Sequence, residues 1–145
     1  MKKTLKVMMG LVMVLLSFAA SSCSKDEMNE KNLEGKWQIT SVDFKEYKEG
    51  KLVEEFKDGQ DTWVEDLVFK SDGTGQMVSR KGIFPITWVV MEEKLMITVS
   101  YGGDPDTIIF DIVEIKGKSM IISETLEEYM DVQYKWVYTY NFEKI

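Results

Sequence analysis

The stretch Val132-Gln133-Tyr134-Lys135-Trp136-Val137-Tyr138-Thr139-Tyr140-Asn141-Phe142 decides the fold class. Large apolar or aromatic residues occupy every second position, and polar ones fill most of the gaps. A period of two places alternate side chains on opposite faces of a β-strand, whereas an amphipathic helix needs a period near 3.6. The strand has one face for a core and one for water.

The same alternation recurs upstream between turn signals. Phe84, Ile86, Trp88 and Val90 share a parity, as do Leu95, Ile97, Val99 and Tyr101. Ile108, Phe110 and Ile112 define another inward face, followed by Met120 and Ile122. Trp37 and Ile39 share one parity and Val42 and Phe44 the other, so the phase slips near Thr40-Ser41; a β-bulge lets both pairs face inward. Trp63, Glu65, Leu67 and Phe69 fall on one face of a further strand. The connections are Glu49-Gly50, Ser71-Asp72-Gly73-Thr74-Gly75, Met91 to Lys94, Gly102 to Asp106 and Lys116-Gly117-Lys118. Asp-Gly supplies the positive-φ positions a tight hairpin requires.

Eight or nine short strands joined by short loops predict an all-β, antiparallel, up-and-down meander. A sheet of that size curls or closes to remove its edges. The expected architecture is an eight-stranded barrel, with a two-sheet sandwich as the alternative. Such a barrel either fills its interior with side chains or holds one small ligand.

The chain opens differently. Lys2, Lys3 and Lys6 precede the apolar run Val7 to Ala20, whose exit is made of the small residues Ala19, Ala20, Ser21 and Ser22. The run is shorter than the roughly 20 residues of a membrane span and has the layout of a secretory signal. Cys23 is the single cysteine of the chain. The stretch Ala20-Ser21-Ser22-Cys23 resembles the lipobox of bacterial lipoproteins, which implies cleavage before Cys23 and acylation of its thiol and its new N-terminus. Several acyl chains anchor a protein stably where one does not. Ser24-Lys25-Asp26-Glu27 resembles the Bacteroidetes lipoprotein export signal, with Lys25, Asp26 and Glu27 carrying the motif. That resemblance implies the outer face of the outer membrane, periplasm-facing being the alternative. The expected organisation is a signal peptide over 1–22, a flexible acidic tether over 23–32 and a barrel domain over 33–145.

Removing residues 1–22 leaves 15 basic and 25 acidic residues, a net charge of −10. Such a domain is repelled by nucleic acid, so a nucleic-acid partner is not expected. The chain holds no histidine, which removes His-dependent nucleophilic catalysis and the commonest metal ligand. No metal site, no cofactor and no enzymatic activity are expected. Asp104 and Asp106 alone fall short of the six to eight oxygens calcium takes.

Leu33-Glu34-Gly35-Lys36-Trp37, Leu67 to Gly75, Thr87-Trp88 and the closing Tyr140 to Ile145 together resemble the bacterial lipocalin-like domain. The resemblance implies that Gly35 and Trp37 close one end of the barrel. With no Arg near the C-terminus, Lys144 is the cation that remains to stack on Trp37. The barrel is expected to bind a small hydrophobic or amphipathic ligand without catalysis. The candidate cavity wall is Glu65, Phe69, Phe84, Trp88 and Phe110, with Tyr134, Trp136, Tyr138 and Tyr140 from the last strand. The alternative is a side-chain-filled barrel acting as a protein-interaction module, an accessory subunit or inhibitor, through charged segments such as Lys45 to Asp58.

Cys23→Ala is expected to abolish acylation and leave the protein outside the membrane fraction, read by intact-mass measurement and by fractionation.

Overall fold

The computed structural model describes residues 30–60 and 62–145. The signal, Cys23 and the Lys25-Asp26-Glu27 motif lie outside the described residues. A one-turn helix, α1 (Glu30–Leu33), leads into nine strands: β1 (Gly35–Lys48), β2 (Lys51–Gly59), β3 (Val64–Phe69), β4 (Thr74–Ser79), β5 (Gly82–Met91), β6 (Lys94–Val99), β7 (Asp106–Lys116), β8 (Ser119–Tyr129) and β9 (Gln133–Lys144). Residues 30–32, expected as part of the tether, are helical. The cause is local: Leu33 is fully buried and its carbonyl accepts a 2.8 Å hydrogen bond from the Trp37 indole.

All neighbouring strands pair antiparallel, in the order β2-β1-β3-β4-β5-β6-β7-β8-β9, and β9 returns to pair with β1. Eight strands (β1 and β3 to β9) thus close an up-and-down barrel. Closure follows from the alternation, since it buries one face of every strand and leaves few open edges. The phase slip at Thr40-Ser41 is a bulge against β9, between Ile39↔Phe142 and Ser41↔Asn141.

One end of the barrel is plugged. Trp37, Phe69, Trp88, Leu95 and Met120 are buried there or just above it. The Trp88 indole donates to the carbonyls of Lys70 and Thr74, which ties the core to the β3–β4 hairpin. Asp72 shapes that hairpin: its Oδ1 accepts from the Thr74 N–H at 3.0 Å and the Thr74 hydroxyl at 2.6 Å, and Gly73 sits at φ 84°. These two bonds hold the Asp72 carboxyl below its usual range. Lys144 Nζ lies 5.3 Å from the Trp37 ring centroid, a cation–π contact. Gly75 is obligatory because an added Cβ would overlap the Val68 carbonyl oxygen. Among the described residues no helix is long and apolar enough to cross a membrane.

At the other end two seams open. β1 pairs with β3 only over Gly35 to Gln38, and with β2 from Val42 onward. β7 pairs with β8 only from Asp111↔Ser123 to Lys116↔Ser119. The upper halves of β1, β8 and β9, together with β2, therefore continue past the barrel as a four-stranded sheet, β2-β1-β9-β8.

Trp37→Ala should cost about 3–5 kcal/mol, the usual range for deleting a buried large aromatic. Gly75→Ala should destabilise severely, and Ile109→Ala, on the exposed outer wall, should stay within about 0.5 kcal/mol of the parent. Urea unfolding of the three variants checks this ranking.

Candidate functional site

The barrel's interior residues leave little space. A funnel at the end opposite Trp37 is lined by Trp63, Leu67, Met77, Phe110, Glu124 and Tyr140, among others. Its enclosed volume is about 30 Å³, and about 340 Å³ with the open space around it included. Sites that enclose drug-sized ligands take roughly 300–1,000 Å³. The enclosed part has room for a few waters at most. The expectation of a ligand-sized chamber inside the barrel is not met in this structure.

The expected aromatic wall residues are distributed over four places. Phe110 and Tyr140 line the funnel, their rings 6.0 Å apart and at 82°. Phe69 and Trp88 pack against each other at 5.1 Å and belong to the plugged half. Phe84 packs edge-on against Tyr101 at 4.9 Å. Tyr134, Trp136 and Tyr138 lie past the mouth, on the projecting sheet, where no opposite barrel wall covers them.

Glu65 requires a correction. Val64 pairs with Ser79 and Asp66 with Val78, so Glu65 is the extra residue of a bulge. The bulge reverses the phase: Val64, Leu67 and Phe69 are buried, and Glu65 and Trp63 are exposed. Glu65 points to solvent.

The carboxylate in the funnel is instead Glu124. It follows Met120 and Ile122 at the same parity, so the alternation of that segment was the signal that locates it. The Tyr140 hydroxyl donates to Glu124 Oε2 at 3.4 Å. Burial pushes the Glu124 carboxyl above its usual range; the Tyr140 hydroxyl opposes the shift and the Asp106 charge adds to it. Burial, followed by the Glu124 charge, raises the Tyr140 hydroxyl far above its ordinary value. Glu124 and Tyr140 are diagonal neighbours across the β8–β9 pair, beside the seam where β7 departs.

The ring row does not stop at the mouth. Tyr140 stacks with Tyr138 at 6.3 Å, Tyr138 meets Phe44 at 5.0 Å, and Phe44 stacks with Phe56 at 6.0 Å. Tyr134 and Trp136 stack at 5.7 Å and 3°, and the Trp136 indole donates to Glu46 Oε1 at 2.8 Å. These residues share the face that continues the barrel's interior surface, because Val42↔Tyr140, Phe44↔Tyr138 and Glu46↔Trp136 keep one parity. Leu126 and Glu128 on β8 and Glu54 and Phe56 on β2 join the same face. This surface offers stacking, apolar contact and carboxylate acceptors.

Among the described residues, no group of three or more His, Cys, Asp or Glu is arranged to hold a metal ion. No family model, curated protein or solved structure matches the chain at a significant level.

Glu124 titrates with a measurable sign. Its charged form is penalised in the folded state, so the Glu124 contribution to stability is most favourable below the ordinary value of 4.5. It declines as pH rises from there through the raised folded value and then levels off. Glu124→Gln removes the penalty. Relative to the parent, the variant should gain stability as pH rises above the ordinary value of 4.5, read as the difference in urea midpoints.

Proposed function

We propose that this chain is a membrane-anchored, non-catalytic recognition lipoprotein whose binding surface is the projecting β2-β1-β9-β8 sheet rather than the barrel interior. The observation that carries this reading is the pairing of a filled barrel with a ring-lined sheet that extends beyond it. Exposed apolar side chains on that sheet support it: Leu52, Val53, Phe56 and Leu126, with Tyr129 and Met130 at the β8 end. Phe56 and Leu126 flank the ring row on its own face, the apolar and aromatic kind of surface that interactions use.

The lipobox resemblance places the anchor at Cys23. Six residues lie between Cys23 and Glu30, a span of roughly 25 Å at most when extended. Acylation there keeps α1 and the plugged end near the membrane. β1, 14 residues long, carries the projection away from it on the far side. The anchor and the recognition surface then occupy opposite ends. On this reading the anchor holds the protein at the outer membrane, with the projection facing outward or into the periplasm, and the partner is a protein.

A photo-crosslinking residue at Phe56 should give a discrete protein adduct in whole cells, and the same residue at Ile109, on the outer barrel wall, should not. Equal labelling at both positions, or a lipid-sized adduct at Phe56, overturns the reading.

A further inference from the structure

The two faces of the projecting sheet differ in how their charges are matched. On the outer face the charges meet an opposite charge, a ring or a backbone N–H. Lys45 and Glu55 are cross-strand partners with a 4.0 Å ion pair, and Lys57 adds a second contact to Glu55 at 3.6 Å. Glu127 stands opposite Lys135, whose Nζ lies 4.6 Å from the Tyr47 ring. Asp43 Oδ1 accepts the Asp58 N–H at 2.9 Å.

The face with the aromatic rows is arranged otherwise. Glu46 stands directly opposite Glu54. Glu124 and Glu128 stand opposite Tyr138 and Tyr134. The lysines at paired positions of this face, Lys48 and Lys51, are at the hairpin tip, and Lys48 Nζ already sits 5.8 Å from the Tyr134 ring. Among the described residues, none of the ion pairs Lys36–Asp66, Lys45–Glu55, Lys57–Glu55 and Lys94–Asp111 reaches these four carboxylates. Like charges directly opposite each other on a sheet oppose pairing. A bound cation reverses that sign. The rings of Tyr138, Phe44 and Trp136 offer π-faces beside the same carboxylates, a setting that suits guanidinium and ammonium groups.

We infer that this face docks a basic, extended segment of a partner protein, whose Lys or Arg side chains reach Glu46, Glu54, Glu124 and Glu128 and lie over the ring row. The shape favours a polypeptide over a small cation. The face runs over seven residues of β1 and of β9, roughly 20 Å at the usual rise per residue, whereas the enclosed funnel beside it is only about 30 Å³. The inference rests on the recognition reading above and adds the partner's chemistry to it.

The test uses the full-length protein, purified in neutral detergent and titrated calorimetrically with three eight-residue peptides that alternate leucine with lysine, serine or glutamate. The lysine peptide should bind, and its affinity should fall several-fold as salt rises from about 0.05 to about 0.3 M, as screening requires. Replacing Glu46 and Glu54 together by Gln should weaken it about fivefold or more, and replacing Glu55 and Glu127 of the outer face should change it less than about twofold. Glu46→Gln keeps an acceptor for Trp136, and Glu54→Gln alone serves as the second variant should the pair fail to fold. Equal binding of the glutamate peptide, no binding of the lysine peptide, or equal loss from the outer-face variant overturns the inference. So does tetraethylammonium binding as tightly as the peptide, which assigns the face to a small cation. A dimer in sedimentation that buries this face assigns it to a second copy. A protein adduct at Phe56 without lysine-peptide binding overturns the basic chemistry and leaves the recognition reading standing; lysine-peptide binding without an adduct does the reverse.

Discussion

The pairing of β1 with β9 is the contact on which the rest of the structure depends. It runs from Trp37↔Lys144 to Lys48↔Tyr134, interrupted only by the bulge between Ile39 and Ser41. Its lower half joins the first and last strands of the meander and so closes the barrel. Its upper half continues where neither strand has a barrel wall opposite, and there it forms the spine of the projecting sheet. Main-chain hydrogen bonds between chain ends are non-local and carry a loop-closure cost, which the buried ring and aliphatic contacts below must offset. Trp37, Met120 and Phe142 are buried on this side of the barrel. The same ladder thus serves the stability of one end and the surface of the other.

Unequal strand lengths produce the two-part shape. β3, β4 and β6 have six residues each, whereas β1, β8 and β9 have 11 to 14. The short strands set the height of the closed wall, and what exceeds it must leave the barrel. Below that height, large side chains fill the interior. Above it, the same alternating rings lose their covering wall and become half exposed. A single sequence pattern along β9 therefore yields core at Phe142, funnel wall at Tyr140 and the half-exposed face of the projecting sheet at Tyr138 to Tyr134. The charge asymmetry follows that division: among the described residues, lysine–glutamate matches lie on the outer face, and the carboxylates among the rings have no ion-pair partner.

Much of the fold was legible in the residues. The alternation, the Asp-Gly hairpin and the phase slip at Thr40-Ser41 each correspond to a feature of the barrel, and the slip is the bulge it implied. Glu65 misled because one extra residue reverses parity, and nothing in Trp63 to Phe69 marks the bulge there. The competing signal was the apolar residue Val64, whose burial wins over the exposure of Trp63. Glu124 was legible as the continuation of Met120 and Ile122, although a charged residue after an apolar pair reads first as the end of a buried face. The helical turn at Glu30 was not legible, since four residues carry too little periodicity to announce it and the Trp37–Leu33 bond that holds it is tertiary.

The residues alone determined the strand class, the meander order and, outside the bulged start of β3, which parity of each strand is apolar, because those depend on side-chain period and turn chemistry. They also determined the absence of histidine chemistry and the acidic balance. Only the tertiary structure decided how far each strand keeps a neighbour. That depends on register and stagger between strands distant in the chain, which no local pattern encodes. Register alone separates an aromatic residue that fills a core from one that waits at the surface, and it placed Tyr134, Trp136 and Tyr138 outside the barrel that their spacing had suggested they would line.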